Sequence, residues 1–177
     1  MAVEIERKFL VRGDEWRPRV VTTRQVIQGY LANTVRSSVR VRLADGRGTL
    51  SVKAMTPGLS REEFEYEVPA EDALRMLEAL CEGPQVAKQR HIVECEGHRF
   101  EVDEFSGDNE GLVLAELELD DESEAGPRPG WLGEEVTRHG RYYSFRLASH
   151  PFRFWPEADR EAARQGVHRQ AMEECAG

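Results

Sequence analysis

Val39-Arg40-Val41-Arg42-Leu43-Ala44-Asp45-Gly46-Arg47-Gly48-Thr49-Leu50-Ser51-Val52-Lys53-Ala54 is the stretch that decides the fold. Across residues 39–43 and 49–54 polar and apolar side chains alternate strictly, the period of a strand whose neighbours point to opposite faces. Between them, Asp-Gly tolerates the positive backbone torsions that a tight hairpin turn demands. The stretch therefore predicts two antiparallel strands joined around residues 44–48.

Working outward, the same period recurs at residues 3–11, 24–31, 63–68, 86–95, 99–105 and 113–120, which makes about eight strands in all. Glu96-Gly97-His98 marks a second turn. One helix interrupts the series at 70–80, where Ala73, Leu74, Leu77 and Leu80 keep helical spacing after Pro69, and Glu71 and Asp72 occupy the first turn. Residues 121–130 form an acidic, Pro- and Gly-rich loop. A short helix is expected at 142–148 and a longer one at 157–174. The second has few large apolar residues and an internal Gly166, so it should dock weakly or against a partner chain, which leaves a homodimer open. The expectation is an α+β protein, mainly antiparallel β. It forms a single domain over 1–177, with tunnel strands in about 1–120 and a C-terminal helical segment in about 142–177.

Composition narrows the function classes. The chain has 177 residues, with 24 Lys+Arg against 33 Asp+Glu and a net charge of −9, which disfavours a general nucleic-acid binder. No run approaches the eighteen apolar residues of a membrane span, and acidic residues stand near the N-terminus where a signal peptide would be apolar, so a cytoplasmic protein is expected. Cys81, Cys95 and Cys175 form no Cys-x-x-Cys pair, and the five histidines share no spacing, so neither a disulfide framework nor a thiolate or imidazole metal site is indicated.

Charge placement is more informative. Residues two apart share a face, which sets Glu4, Glu6 and Lys8 together, then Arg40 with Arg42, Glu63 with Glu65 and Glu67, Lys88 with Arg90, Glu101 with Asp103, and Glu116 with Glu118; Lys53 stands opposite Val52. A solvated sheet face also alternates, but it usually mixes signs. Here signs are sorted by strand, which sets like charges side by side unless counter-charges come from opposed strands or a ligand. If the charged face turned inward in an eight-stranded closed β-barrel, the interior would suit one small ligand. Lys and Arg there fit phosphate oxygens, and carboxylates without His or Cys fit Mg²⁺ or Mn²⁺. Together they describe a metal-bridged polyphosphate.

Glu4-Ile5-Glu6-Arg7-Lys8 is a Glu-x-Glu-x-Lys pattern, followed in order by Gln28-Gly29-Tyr30-Leu31, Val39-Arg40-Val41-Arg42, Leu50-Ser51-Val52-Lys53, Glu63-Phe64-Glu65-Tyr66-Glu67, Lys88-Gln89-Arg90, Glu101-Val102-Asp103, Ala115-Glu116-Leu117-Glu118 and Glu135-Val136-Thr137. On these motifs the chain, over about 1–148, resembles the CYTH superfamily of triphosphate tunnel metalloenzymes, and within it the short bacterial inorganic triphosphatases. The resemblance implies an eight-stranded tunnel with flanking helices. It also implies metal-dependent hydrolysis of inorganic triphosphate to pyrophosphate and orthophosphate. By the same resemblance Glu4, Glu6, Glu116 and Glu118 would hold Mg²⁺ or Mn²⁺. Glu63, Glu65 or Asp103 would orient the attacking water, Asp103 also counting among the metal-binding carboxylates. Lys8, Arg40, Arg42, Lys53, Lys88 and Arg90 would grip phosphate, and Tyr30 would lie beside Lys8. One departure is visible: Ser144-Phe145 stands where the family pattern leads one to expect Asn. The alternatives are another triphosphate reaction in the same tunnel, namely thiamine or nucleoside triphosphate hydrolysis or adenylyl cyclisation, and a non-catalytic polyphosphate-binding module.

Overall fold

The structure is a computed structural model that describes residues 2–55, 60–121 and 123–169; the side chains of 2–4, 60 and 61 lie outside what is described. It is mainly antiparallel β with a few helices. In chain order the strands are β1 (Ala2–Val11), β2 (Val20–Asn33), β3 (Ser37–Ala44), β4 (Arg47–Ala54), β5 (Ser60–Val68), β6 (Val86–Cys95), β7 (His98–Phe105), β8 (Val113–Glu118) and β9 (Leu132–Glu135). The α-helices are α1 (Ala70–Ala79), α2 (Ser144–Ser149) and α3 (Glu157–Arg164). None is long and apolar enough to cross a membrane.

Both hairpin signals fold as tight two-residue turns. Ala44 pairs with Arg47 across Asp45 and Gly46, at φ 48° and 77°, and Cys95 pairs with His98 across Glu96 and Gly97, at φ 54° and 78°. Positive φ at both central positions gives a turn twist that matches the strands.

The strands form one sheet in the order β5-β4-β3-β2-β6-β7-β8-β1-β9, with a further pairing of β5 to β1. The expected eight-stranded closed barrel is therefore corrected: nine described strands make a curled, tunnel-like sheet. The cause lies in β1. Its edge opposite β8 is shared, because β5 meets only its first residues, Ala2 to Ile5, and β9 takes its far end at Phe9 and Val11. Strand β9 arises just after the region read as loop, in a stretch given no element, since four residues are too few to show a period.

Apolar residues pack on both sides of this sheet. Outside, Phe9, Phe100, Val102, Ala115 and Leu117 are wholly buried with Trp16 and Trp131, each large side chain contributing about 1.5–3 kcal/mol by burial. Helix α1 covers the outer face of β3 and β4 through Ala73 and Leu77. Its fit requires Gly48, where a Cβ would come within 2.7 Å of the Ala73 Cβ. Leu74 and Leu80, read as part of the buried stripe, are 45% and 63% exposed.

The inner face changes character along its length. One step beyond Lys8, Lys88, Asp103 and Glu116 on the same faces stand Leu10, Val86, Phe105 and Leu114, all buried together with Tyr142, Leu147, Phe152 and Trp155. Helix α2 and the segment after it thus give the tunnel an apolar floor. Helix α3 ends at Arg164, before Gly166 at φ 76°, rather than running on to 174. Gly166 and Gly133 approach so closely that a Cβ on Gly133 would meet the Gly166 carbonyl oxygen at 2.3 Å, and the Gly166 oxygen accepts a hydrogen bond from the Glu134 amide at 2.8 Å. With Ala163 buried and Asp159 accepting from Arg141 at 3.0 Å, this segment docks firmly on the same chain. Residues 170–174 of the expected helix lie outside the described residues.

Candidate active site

Period two now has a spatial meaning. The alternate residues of β1, β3, β4, β6 and β8 that carry charge converge on one cavity partly open to solvent, whose empty space, open solvent at its mouth included, is about 870 Å³. Glu6, Lys8, Tyr30, Arg40, Arg42, Lys53, Lys88, Arg90, Glu116 and Glu118 line it, as read from the sequence. So do Ser38, Met55, Glu101, Tyr143, Ser144 and Phe145, to which the sequence reading gave no site role. Ser38 could have been found, since it shares the face of Arg40 and Arg42. Tyr143 to Phe145 come from the turn into α2 and follow no strand period.

The cations are met by carboxylates of neighbouring strands. On one wall the Lys53 Nζ is 3.1 Å from Glu63, whose other oxygen is 3.6 Å from Arg40. Arg42 donates to Glu65 at 2.8 Å, and the Ser51 hydroxyl donates to the same oxygen at 2.9 Å. On the other wall Lys8 is hydrogen-bonded to Glu116, directly opposite it on β8, and is 4.0 Å from Glu6. Arg90 is the hub: its Nε and Nη2 donate to the two oxygens of Asp103 at 2.7 Å each, Nη2 also reaches Glu116 at 2.7 Å, and Nη1 donates to Glu101. Lys88 donates to Asp103. The like charges sorted along each strand are thus neutralised across strands, which an inward-facing array requires, because an unpaired buried charge costs several kcal/mol.

Titration follows from this packing. Burial, with Arg90 alongside, brings the Lys88 ammonium down to about 8 against the pull of Asp103 and Glu116. Burial and then Arg40 lower Arg42. Burial by itself would raise Glu116, but Lys8, Arg90 and Lys88 outweigh it and hold the carboxylate well below its ordinary range. Asp103 is likewise held low by Arg90 and Lys88 against its burial.

Three residues read as part of the site stand behind the cavity lining. Glu63 and Glu65 hold the β3 and β4 cations, and Asp103 holds Lys88 and Arg90. The Glu4 side chain lies outside the described residues, although its backbone pairs with Arg61. Tyr30 lines the same cavity as Lys8, and the Tyr143 ring also stands near it, its centroid 5.8 Å from Nζ; the Tyr143 hydroxyl donates to the Thr137 carbonyl at 2.7 Å.

Among the described residues no three His, Cys, Asp or Glu side chains group as a metal cage. Glu6 and Glu118 face each other in register across β1 and β8, with Glu116 next along. An oxygen-only pair of this kind fits Mg²⁺, which is usually held by one or two carboxylates and completed by water and substrate phosphate.

Comparison with known proteins agrees with this geometry. Residues 2–148 match the CYTH domain. The chain belongs to the CYTH family. Among its CYTH relatives, an inorganic triphosphatase of Acetivibrio thermocellus is 44% identical over 159 residues, covering 89% of this chain and all of that one. An inorganic triphosphatase of Nitrosomonas europaea is 38% identical over 152 residues, covering 82% and 96%. A solved inorganic triphosphatase structure superposes with a TM-score of 0.59 at 31% identity, covering 84% of this CYTH chain and 95% of that one.

Proposed function

We propose that this protein hydrolyses inorganic triphosphate to pyrophosphate and orthophosphate in its charged cavity. The observation that carries the reading is the convergence of Lys8, Arg40, Arg42, Lys53, Lys88 and Arg90 on one cavity that also presents Glu6, Glu116 and Glu118. The inorganic triphosphatase relatives support it. The basic walls grip phosphoryl oxygens and stabilise charge as the bridging bond to the leaving pyrophosphate breaks. Glu6 and Glu118, with Glu116 and Glu4, would hold Mg²⁺ or Mn²⁺, which when bound lowers the pKa of water and neutralises phosphoryl charge. Glu63 and Glu65 keep Lys53, Arg40 and Arg42 aimed into the cavity and are the nearest carboxylates to that wall for orienting water. The apolar floor under α2 limits how far a chain of phosphates can extend. A cytoplasmic location goes with this reading, supported by the unpaired thiols Cys81 and Cys95.

Product analysis with Mg²⁺ and inorganic triphosphate, ATP or pyrophosphate tests it. We expect kcat/KM to fall in that order, because pyrophosphate is too short to satisfy both walls and leaves cations short of partners. A second reading, hydrolysis of an aromatic triphosphate, is favoured by the Tyr143 and Phe145 rings on the cavity wall. Faster turnover of ATP than of inorganic triphosphate would promote it.

A pH dependence follows from Lys88. Its pKa near 8 lies below its ordinary 10.5, so the unliganded fold binds fewer protons than the unfolded chain between those values. This group therefore adds stability as pH rises from 8 to 10.5. Triphosphate favours the charged ammonium, so its affinity should do the opposite, falling as pH rises through about 8, with proton uptake on binding. Calorimetry in buffers of different ionisation enthalpy measures the uptake, and Lys88→Arg should abolish it.

A further inference from the structure

We propose that Asp103 is a positioning residue for the phosphate grip, a permanent counter-ion that aims Lys88 and Arg90, and that it does not ligate metal. This rests on the triphosphatase reading above. Asp103 is 1% exposed and does not line the cavity, whereas Glu101 and Glu116, the other partners of Arg90, both do. Both of its oxygens accept from the two cations, in three hydrogen bonds. One carboxylate oxygen accepts from Arg90 Nε at 2.7 Å, and the other accepts from Arg90 Nη2 at 2.7 Å and from Lys88 Nζ.

The distinction matters when substrate arrives. Phosphate oxygens compete with cavity carboxylates for Lys8, Lys88 and Arg90. Glu101 and Glu116 are open to the cavity and can give up Arg90 to the incoming anion. Asp103 cannot be reached, so its paired bonds to the guanidinium persist and fix the plane in which the remaining N–H groups point. Its direct cross-strand pairing with Arg90 on β6 and β7 makes the arrangement a property of the sheet register. Shielded in this way, with both oxygens engaged by Lys88 and Arg90, Asp103 is turned away from a cation in the cavity.

The test separates grip from metal binding in the full-length protein. Asp103→Asn should raise KM for inorganic triphosphate about tenfold or more, the loss expected when charged hydrogen bonds lose their geometry. Triphosphate binding in excess chelator should weaken by the same factor. The Mg²⁺ concentration for half-maximal rate at saturating triphosphate should stay within about twofold, and kcat should fall less than KM rises. Asp103→Glu, which keeps the charge, should recover part of the chelator-insensitive binding. A Mg²⁺ midpoint displaced tenfold with chelator-insensitive binding unchanged would overturn the proposal. Where Asp103→Asn does not fold, a crystal structure of the parent with Mn²⁺ and imidotriphosphate decides: Asp103 is expected on Lys88 and Arg90, and an Asp103 oxygen in the metal's coordination shell would refute it. A parent that neither binds nor cleaves inorganic triphosphate defeats the functional reading itself, whereas variants equal to an active parent remove only the positioning role.

Discussion

Glu118→Gln is expected to lower turnover of inorganic triphosphate about 10³-fold or more while leaving the melting temperature within about 2 °C of the parent, since a hard metal ion supplies several kcal/mol to phosphoryl transfer and exposed substitutions rarely matter to stability. Glu118 is solvent-exposed at the cavity and stands in register with Glu6, so the change removes one charge of the proposed metal-holding pair at an exposed position. Glu116 is the informative contrast. It accepts from both Lys8 and Arg90, so Glu116→Gln should lower stability and activity together. In Glu118→Gln the stabilisation by triphosphate in excess chelator should persist, because the basic walls are intact, and only the increment from added Mg²⁺ should vanish. Full activity of the parent in excess chelator, or a large loss of stability in Glu118→Gln, would sink the assignment.

The coupling of metal and triphosphate follows from the same ion pairs. Triphosphate that engages Lys8 and Arg90 must displace Glu116 and Glu101, and the displaced carboxylates then need new cations nearby. On the proposed reading a divalent ion at Glu6, Glu116 and Glu118 would supply that charge. Each ligand would then prepare the protein for the other, and by linkage the preparation would be equal in both directions. The sequence reading left open whether opposed strands or a ligand supply the counter-charges for like charges sorted along each strand. In the structure neighbouring strands supply those counter-charges, so on the proposed reading substrate binding would be an exchange of partners.

How much of this could be read from the chain depends on how local each signal is. The hairpins at Asp45-Gly46 and Glu96-Gly97 are written in two residues each, and both form. Period two assigned Arg40, Arg42, Lys53, Lys88, Arg90, Glu116 and Glu118 to one face of each strand, and that face is the cavity face. Parity alone could not say that this face turns inward, because the outer face buries Phe9, Phe100 and Leu117 as thoroughly as any core. Nor could it show the inner face becoming apolar at Leu10, Val86, Phe105 and Leu114. Strand β9 was illegible because four residues following a Pro- and Gly-rich loop become a strand only through the edge that β1 offers. Tyr143 and Phe145 reach the cavity from a turn, where spacing carries no direction.

Arg90→Met should be the most damaging single change to the fold. Arg90 is 13% exposed at its side chain and is shared by Glu101, Asp103 and Glu116. Without it Asp103 is left with Lys88, and Glu116 with Lys8 and the more distant charge of Lys88, and removing one partner of a buried pair costs about 3–5 kcal/mol. For a chain of this length that corresponds to a fall in melting temperature of about 10 °C. The pH dependence identifies the cause. In the parent, Asp103 and Glu116 titrate below their ordinary values, so their contribution is present at neutral pH and is lost as pH falls through those depressed values. In Arg90→Met the burial of both carboxylates is offset less fully, by Lys88 and Lys8, and their pKa values rise from the parent's depressed ones. The cost is then largest at neutral pH and is relieved on acidification, as the carboxylates take up protons. The gap in melting temperature between parent and variant should accordingly narrow from pH 7 towards pH 4. Arg90→Lys, which restores charge without the paired geometry, should recover part of the stability and little of the triphosphate affinity. A gap that stays constant with pH would mean that Arg90 acts through its packing alone, and the cross-strand charge exchange would lose its hub.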